Sequence, residues 1–277
     1  MEIQHEVSGG GNLRLHVREW GAPSGIPVVF IHGWSSSHLA WRYQYESFLA
    51  DEFRLVAMDL RGHGMSDAPL EADHYTDAQL WADDIAAIME ALHLDRPVLV
   101  GWSYGGFIIG DYVRAYGSSG ISGVNYVGAG VKLTESIMRT LYGPGLLSHV
   151  EAATQPDLPT NIEAIRQFIR ALVASPMTEV DFEYALAYNI VVPPEVRGAM
   201  LMREIDSDDI LRHLQVPVLV SQGRLDQHAL PAMAEHILGV CPTAEASWYE
   251  AAAHMPFLED PERFNTELAE FARAIRG

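Results

Sequence analysis

Residues 98–110 read VLVGWSYGGFIIG, an apolar run that passes through Gly101, Trp102, Ser103, Tyr104 and Gly105 and then becomes apolar again. Glycines stand two positions before and two positions after one serine. A serine on a very sharp strand-to-helix turn occupies strained backbone, and a Cβ at −2 or +2 would collide across that turn. Proteins keep such strain mainly where it is useful. Here the use is to push the Ser103 hydroxyl out at the tip of a sheet.

The rest of the chain supplies that sheet. IPVVFIHG (26–33), FRLVAMDLRGHG (53–64) and RPVLVGWS (96–103) are nearly continuous apolar runs, the pattern of strands buried on both faces in a parallel sheet. ISGVNYVGAG (121–130), VPVLVSQGRLD (216–226) and AEASWYE (244–250) read as further strands. EIQHEV and LRLHVREW flank the turn SGGGN. No helix follows those glycines, so a hairpin is expected there and not a phosphate loop.

Between the second and third of these runs, Thr76 and Gln79 form a capping box. Trp81, Ile85, Ile88 and Leu92 then recur at helical spacing, with Asp83, Asp84 and Glu90 off the stripe. A last helix carries Phe264, Leu268, Phe271 and Ile275 on one face. Alternating strands and helices predict a doubly wound α/β sheet. From 131 to about 210 the strand signal stops, and a helical stretch rich in methionine and aromatic residues interrupts the rhythm. The expected organisation is therefore a core of 1–130 and 211–277 with a helical insertion of 131–210 over Ser103.

The 277 residues carry 37 acidic and 18 basic side chains, for a net charge of −19, and Lys132 is the only lysine. Such a surface repels nucleic acid and anionic membranes. The single cysteine, Cys241, precludes an internal disulfide and reads as a small apolar filler. MEIQHEVSGG has neither a basic start nor an apolar core, so no signal peptide is expected, and a cytoplasmic location follows as the expectation. No His-Glu-x-x-His or similar spacing calls for a metal, and no cofactor is expected.

In open parallel sheets, ligands bind beyond the carboxyl ends of the strands. Those positions hold His32, Gly33 and Trp34, then Ser103, then Asp226, then His254. A serine hydroxyl needs a base in reach, and the base needs a carboxylate to orient it. Of twelve histidines, only His254 follows the last strand. His228 and His236 are expected to be solvated or structural. Asp226 is the leading acid, because the preceding strand ends VGAG without a carboxylate. Asp59, also after a strand, is read as a loop organiser. Backbone N–H groups of Trp34 and Tyr104 are placed to hold an oxyanion. Trp34 and Tyr104 side chains, with Met138, Tyr142 and Phe168 from the insertion, are the expected pocket lining.

The chain resembles the α/β-hydrolase superfamily over essentially its whole length. The matching pieces are HGW, DLRGHGMS, GWSYGG, GRLD and HMPFLEDP, in the family's order. Residues 101–130 look most like the branch of cofactor-free haloperoxidases and aryl esterases. The resemblance implies an eight-stranded sheet, a helical cap after the sixth strand and a Ser103–Asp226–His254 triad. The implied activity is hydrolysis of carboxylic esters with hydrophobic small to medium acyl or aryl groups. Peracid formation at the same triad, lactone cleavage and carbon–carbon bond cleavage remain alternatives. Dehalogenases and epoxide hydrolases of this kind carry aspartate where Ser103 stands, and a non-catalytic binding role would usually lack a triad member.

Overall fold

The computed structural model describes residues 2–276. Eight strands build the main sheet: β1 (Glu2–Ser8), β2 (Arg14–Gly21), β3 (Pro27–Ile31), β4 (Arg54–Met58), β5 (Val98–Trp102), β6 (Gly123–Val127), β7 (Val218–Gly223) and β8 (Ala244–Tyr249). Their order is β1-β2-β4-β3-β5-β6-β7-β8. β1 and β2 form the expected antiparallel hairpin, β2 runs antiparallel to β4, and the remaining pairs are parallel. β3, β5 and β6 are buried at every residue, which is why their sequences show no alternation.

The helix Ala78–Ala91 buries Trp81, Ile85 and Ile88 and packs on the helix Gly105–Tyr116. Two details differ from the sequence reading. The N-cap is Asp77, whose carboxylate accepts from Gln79 N–H at 2.9 Å, because Thr76 closes a preceding short turn, Asp73–Thr76. Asp84 is fully buried, not off the buried face. Arg61 donates to it through Nε and Nη2 at 2.7 Å each, and Gly10 N–H adds a third bond at 2.9 Å. This pair ties the β1–β2 turn and the loop after β4 to the helix. Cys241 is buried, and the last helix, Pro261–Arg276, covers β6 with Phe271 and Ile275.

Residues 131–210 lie between β6 and β7. They are mainly helical, the longest segments being Leu158–Arg170 and Glu179–Ile190. A two-residue antiparallel ladder, Lys132–Leu133 against Ile205–Asp206, joins the two ends of the segment. Inside it the fully buried Arg197 donates to the carbonyls of Ala153, Asn189 and Val192 and to Asn161 Oδ1. No helix among the described residues is long and apolar enough to cross a membrane.

The Arg61–Asp84 pair gives a stability test. Arg61→Met leaves a buried carboxylate uncompensated and should cost about 3–5 kcal/mol. Urea unfolding at pH 7 measures this, and a loss below about 1 kcal/mol would contradict the structural role assigned to the pair.

Candidate active site

Ser103 sits between β5 and the helix Gly105–Tyr116, at φ +54°. That backbone region is costly for a residue with a Cβ. The flanking glycines make the turn possible. A Cβ on Gly101 would lie 2.9 Å from the Gly105 carbonyl, and one on Gly105 would lie 2.4 Å from the Ile31 carbonyl oxygen. Hydrogen bonds to the end of β6 and the stretch after it hold the strained residue. Ser103 N–H donates to Val127 O at 3.1 Å, and Gly130 N–H donates to Ser103 O at 2.9 Å.

Asp226 follows β7 and His254 follows β8. His254 Nδ1 donates to Asp226 Oδ2 at 2.7 Å, with both side chains almost fully buried. Asp226 also accepts from His228 N–H at 2.7 Å and from Gln222 Nε2 at 3.0 Å, so its position is over-determined. With the proton on Nδ1, Nε2 of His254 is the free basic nitrogen. The His254 backbone is fixed too: its N–H donates to Leu172 O and its carbonyl accepts from Trp102 Nε1. The pair lies against Gly128, at φ +47°, where a Cβ would come within 3.1 Å of His254 Nδ1 and 3.3 Å of Asp226 Oδ2. Gly128 falls between Val127 and Gly130, the two residues that hold Ser103. Serine, histidine and aspartate thus converge on one short stretch after β6, and that stretch carries no side chain in their way.

The loop after β3 approaches from the other side. A Cβ on Gly33 would lie 2.9 Å from Ser103 Cβ. Two buried histidines pin this loop. His32 donates from Nδ1 to Gly33 O and accepts at Nε2 from Leu60 N–H. His63 donates from Nδ1 to Arg61 O and accepts at Nε2 from Ser35 N–H. Burial pushes His32 down to about 4 and His63 to about 3, so both rings are neutral at pH 7, as their acceptor roles require. Among the described residues, no backbone carbonyl accepts from the N–H of Trp34 or of Tyr104.

Asp59 is the centre of a separate network. It accepts from the backbone N–H groups of His38 and Met65 and from Nδ1 of His16 and His38. Burial pushes its carboxyl up, but the hydrogen bonds from His16 and His38 outweigh this and hold it far below the usual range. The ligand atoms of His16, His38 and Asp59 lie within 4.8 Å of one another, the spacing a metal would need. Both Nδ1 atoms already donate to the carboxylate, so the set is complete as a loop-organising hydrogen-bond cluster.

A narrow cavity of about 40 Å³ opens beside Ser103. Its walls are Trp34, Tyr104, Phe107 and Gly130 from the core and Leu133, Tyr142, Leu146, Phe168 and Leu201 from the 131–210 segment, with His228 and Ala229. Trp34, Tyr104, Tyr142 and Phe168 are thus brought together in this cavity wall. Met138 does not line this cavity: it faces a surface depression on the other side of Tyr142, with Glu135 and Arg139. His236 is a structural residue, bonded to Asp208 at 2.6 Å. His228 is not solvated. It is 2% exposed, lies in a loop ahead of the helix Pro231–Val240, and stacks on His254 with centroids 4.9 Å apart and ring planes at 20°. Nothing in the local sequence marks it, because its placement depends on contacts with Asp226 and with the distant Gly143.

Comparison with known proteins follows the same lines. The profile of the alpha/beta hydrolase family matches residues 28–267. The chain is similar to the structure of the esterase RhEst1 from a Rhodococcus species, at 33% identity and a TM-score of 0.92 over 98% of this chain and 99% of that one. It is 31% identical to a bifunctional esterase/perhydrolase of Acinetobacter calcoaceticus, over 77% of this chain and 79% of the relative. It is 29% identical to a non-heme chloroperoxidase of Streptomyces lividans, over 97% and 99% of the two chains.

The neutral histidines that pin the β3 loop predict acid sensitivity with a definite sign. A histidine whose folded pKa lies below its unfolded value of 6.5 contributes stability that is full above pH 6.5 and lost as the pH falls toward the folded value. The loss approaches about 1.4 kcal/mol per pH unit for one such group. Asp111, pushed up to about 6 by burial, acts in the opposite direction, so a difference measurement isolates the histidine. The stability gap between the native chain and His32→Asn should shrink as the pH falls from 6.5 to 4. A gap independent of pH across that window would contradict a neutral His32.

Proposed function

The chain belongs to the alpha/beta hydrolase family and hydrolyses ester bonds, and we propose that it does so as a serine esterase with Ser103 as nucleophile, His254 as base and Asp226 as its orienting acid. The observation that carries this reading is the 2.7 Å His254–Asp226 hydrogen bond, set against the same glycine-bounded stretch that holds the strained Ser103.

In the proposed mechanism, Ser103 Oγ attacks the acyl carbon while His254 Nε2 takes its proton. Asp226, at Nδ1, keeps the ring in the productive tautomer and stabilises the imidazolium. The N–H groups of Trp34 and Tyr104 receive the oxyanion, each such donor being worth about 2.7–4 kcal/mol. His254 returns the proton to the departing alkoxide, leaving an acyl-enzyme. Water, deprotonated by His254, then releases the acid. Hydrogen peroxide in place of water would release a peracid instead. The perhydrolase and chloroperoxidase relatives favour keeping this second reading in view.

The 131–210 segment acts as a lid and as the substrate-selecting unit. Two of its hydrogen bonds to the core run through pocket side chains: Trp34 Nε1 donates to Arg197 O, and Tyr104 OH donates to Met200 O. A cavity of about 40 Å³ has room for only a few water-sized groups. Short acyl chains fit this space, and longer ones require the lid to yield. The substrates in this reading are small neutral esters, with neither nucleic acid nor membrane as partner. The one buried cysteine suits a cytoplasmic enzyme.

Two measurements test the proposal. Ser103→Ala should lower kcat on p-nitrophenyl butyrate by a factor on the order of 10⁵–10⁶ with an unchanged melting transition. Turnover within tenfold of the native enzyme would rule out Ser103 as nucleophile. Leu146→Ala should raise kcat/KM for the octanoate ester relative to the acetate ester by about tenfold, the value of one or two methylene contacts. An unchanged ratio would contradict the lid as the selecting wall. Repeating the native assay with acetate and peroxide separates perhydrolysis from hydrolysis.

A further inference from the structure

The cavity beside Ser103 is apolar except for a few side-chain tips, and almost all of those are occupied. Trp34 Nε1 is bonded to Arg197 O, Tyr104 OH to Met200 O, and Tyr142 OH to Lys132 O. Apart from the Ser103 hydroxyl, His228 is the exception. The ring is 2% exposed, yet neither Nδ1 nor Nε2 has a hydrogen-bond partner among the described residues. The Ala171 backbone approaches it without reaching hydrogen-bond geometry. Buried polar groups are normally paired, and one that is not calls for a reason.

The ring is also held firmly. His228 N–H donates to Asp226 Oδ1 at 2.7 Å, and its carbonyl accepts from Gly143 N–H at 3.0 Å. One face of the ring stacks on His254, and Phe168 meets it edge-on at 4.7 Å. Gly145 leaves room for it: a Cβ there would come within 2.8 Å of Nδ1. A side chain so fixed beside the base, in the wall of the cavity and with both ring nitrogens unpartnered, is arranged to meet a ligand.

We infer that His228 is a specificity residue that hydrogen-bonds a neutral hydroxyl group carried on the acyl chain close to the scissile ester, so that hydroxyacyl esters are the preferred substrate class. Burial, with the neighbouring His254 and His149, keeps the His228 ring neutral. A neutral imidazole offers one donor and one acceptor, which a hydroxyl can match from either side. A carboxylate or an ammonium in the same place would meet no opposite charge. The inference rests on the esterase reading, since it needs the scissile carbonyl at Ser103.

The test compares kcat/KM for p-nitrophenyl butyrate with that for its 2-hydroxy and 3-hydroxy derivatives. The native enzyme should prefer one hydroxy ester over butyrate by about tenfold or more, because a site built to bond a hydroxyl penalises its absence. H228F should erase that ratio, and H228Q, which restores a donor and an acceptor, should recover part of it. If H228F does not fold, H228L reads the same ratio. No preference in the native enzyme, a ratio unchanged in H228F or H228L, or no recovery in H228Q would overturn the inference. Butyrate hydrolysis that depends on Ser103 in those same assays keeps the esterase reading standing. No hydrolysis of any of the three esters would defeat both.

Discussion

The backbone of Ser103 is the constraint around which the molecule is arranged. A residue with a side chain at φ +54° stores strain of about 1–3 kcal/mol. Only a rigid frame can hold it there. The frame is the sheet: Ile31 on β3 presses on Gly105, and Val127 at the end of β6 accepts the Ser103 N–H. Each neighbouring strand end then delivers a group to the same spot. β3 brings Gly33 and Trp34, β6 brings the bare Gly128, and β7 and β8 bring Asp226 and His254. Loosening the turn would therefore misplace the whole constellation at once.

Burial is the second theme, and it acts through protonation. His32 and His63 serve as acceptors for backbone N–H groups, a role only a neutral ring can fill, and burial removes their charge at pH 7. Their neutrality fixes the loop that carries the Trp34 N–H. On the outer side, the 131–210 segment is fastened to this loop and to Tyr104 by hydrogen bonds to Arg197 O and Met200 O. Groups that shape the pocket thus also help to dock the segment, beside bonds such as Arg203 to Asp111. In the proposed reading, a lid movement that admits a bulky acyl chain would break the bonds to Arg197 O and Met200 O, which links substrate size to lid opening.

Much of this could be read from the residues alone, and the reasons are local. Strands buried on both faces lose their alternation, so β3, β4 and β5 stand out. The clash of a Gly101 Cβ with the Gly105 carbonyl acts within five residues. His254 is separable from eleven other histidines because it alone follows the last strand. What escaped depends on partners far apart in the chain. Asp84 looks solvent-facing until Arg61 folds back on it. The helix cap moved from Thr76 to Asp77 because a preceding turn used Thr76. His228 reads as an ordinary loop histidine until Gly143, brought in from the insertion, and Asp226 hold it against His254. Met138 failed as a pocket residue for a related reason: helical periodicity says which residues share a face, but not toward which cavity the face turns.

The central claim is that one activated hydroxyl, on Ser103, forms the covalent intermediate. Its most direct test is labelling with a p-nitrophenyl alkylphosphonate, followed by intact-mass and peptide mass spectrometry. The account predicts a single adduct per chain on Ser103, formed in step with the loss of esterase activity and strongly slowed by His254→Ala. An adduct on another residue, or ester turnover that persists after Ser103 is fully modified, would contradict it.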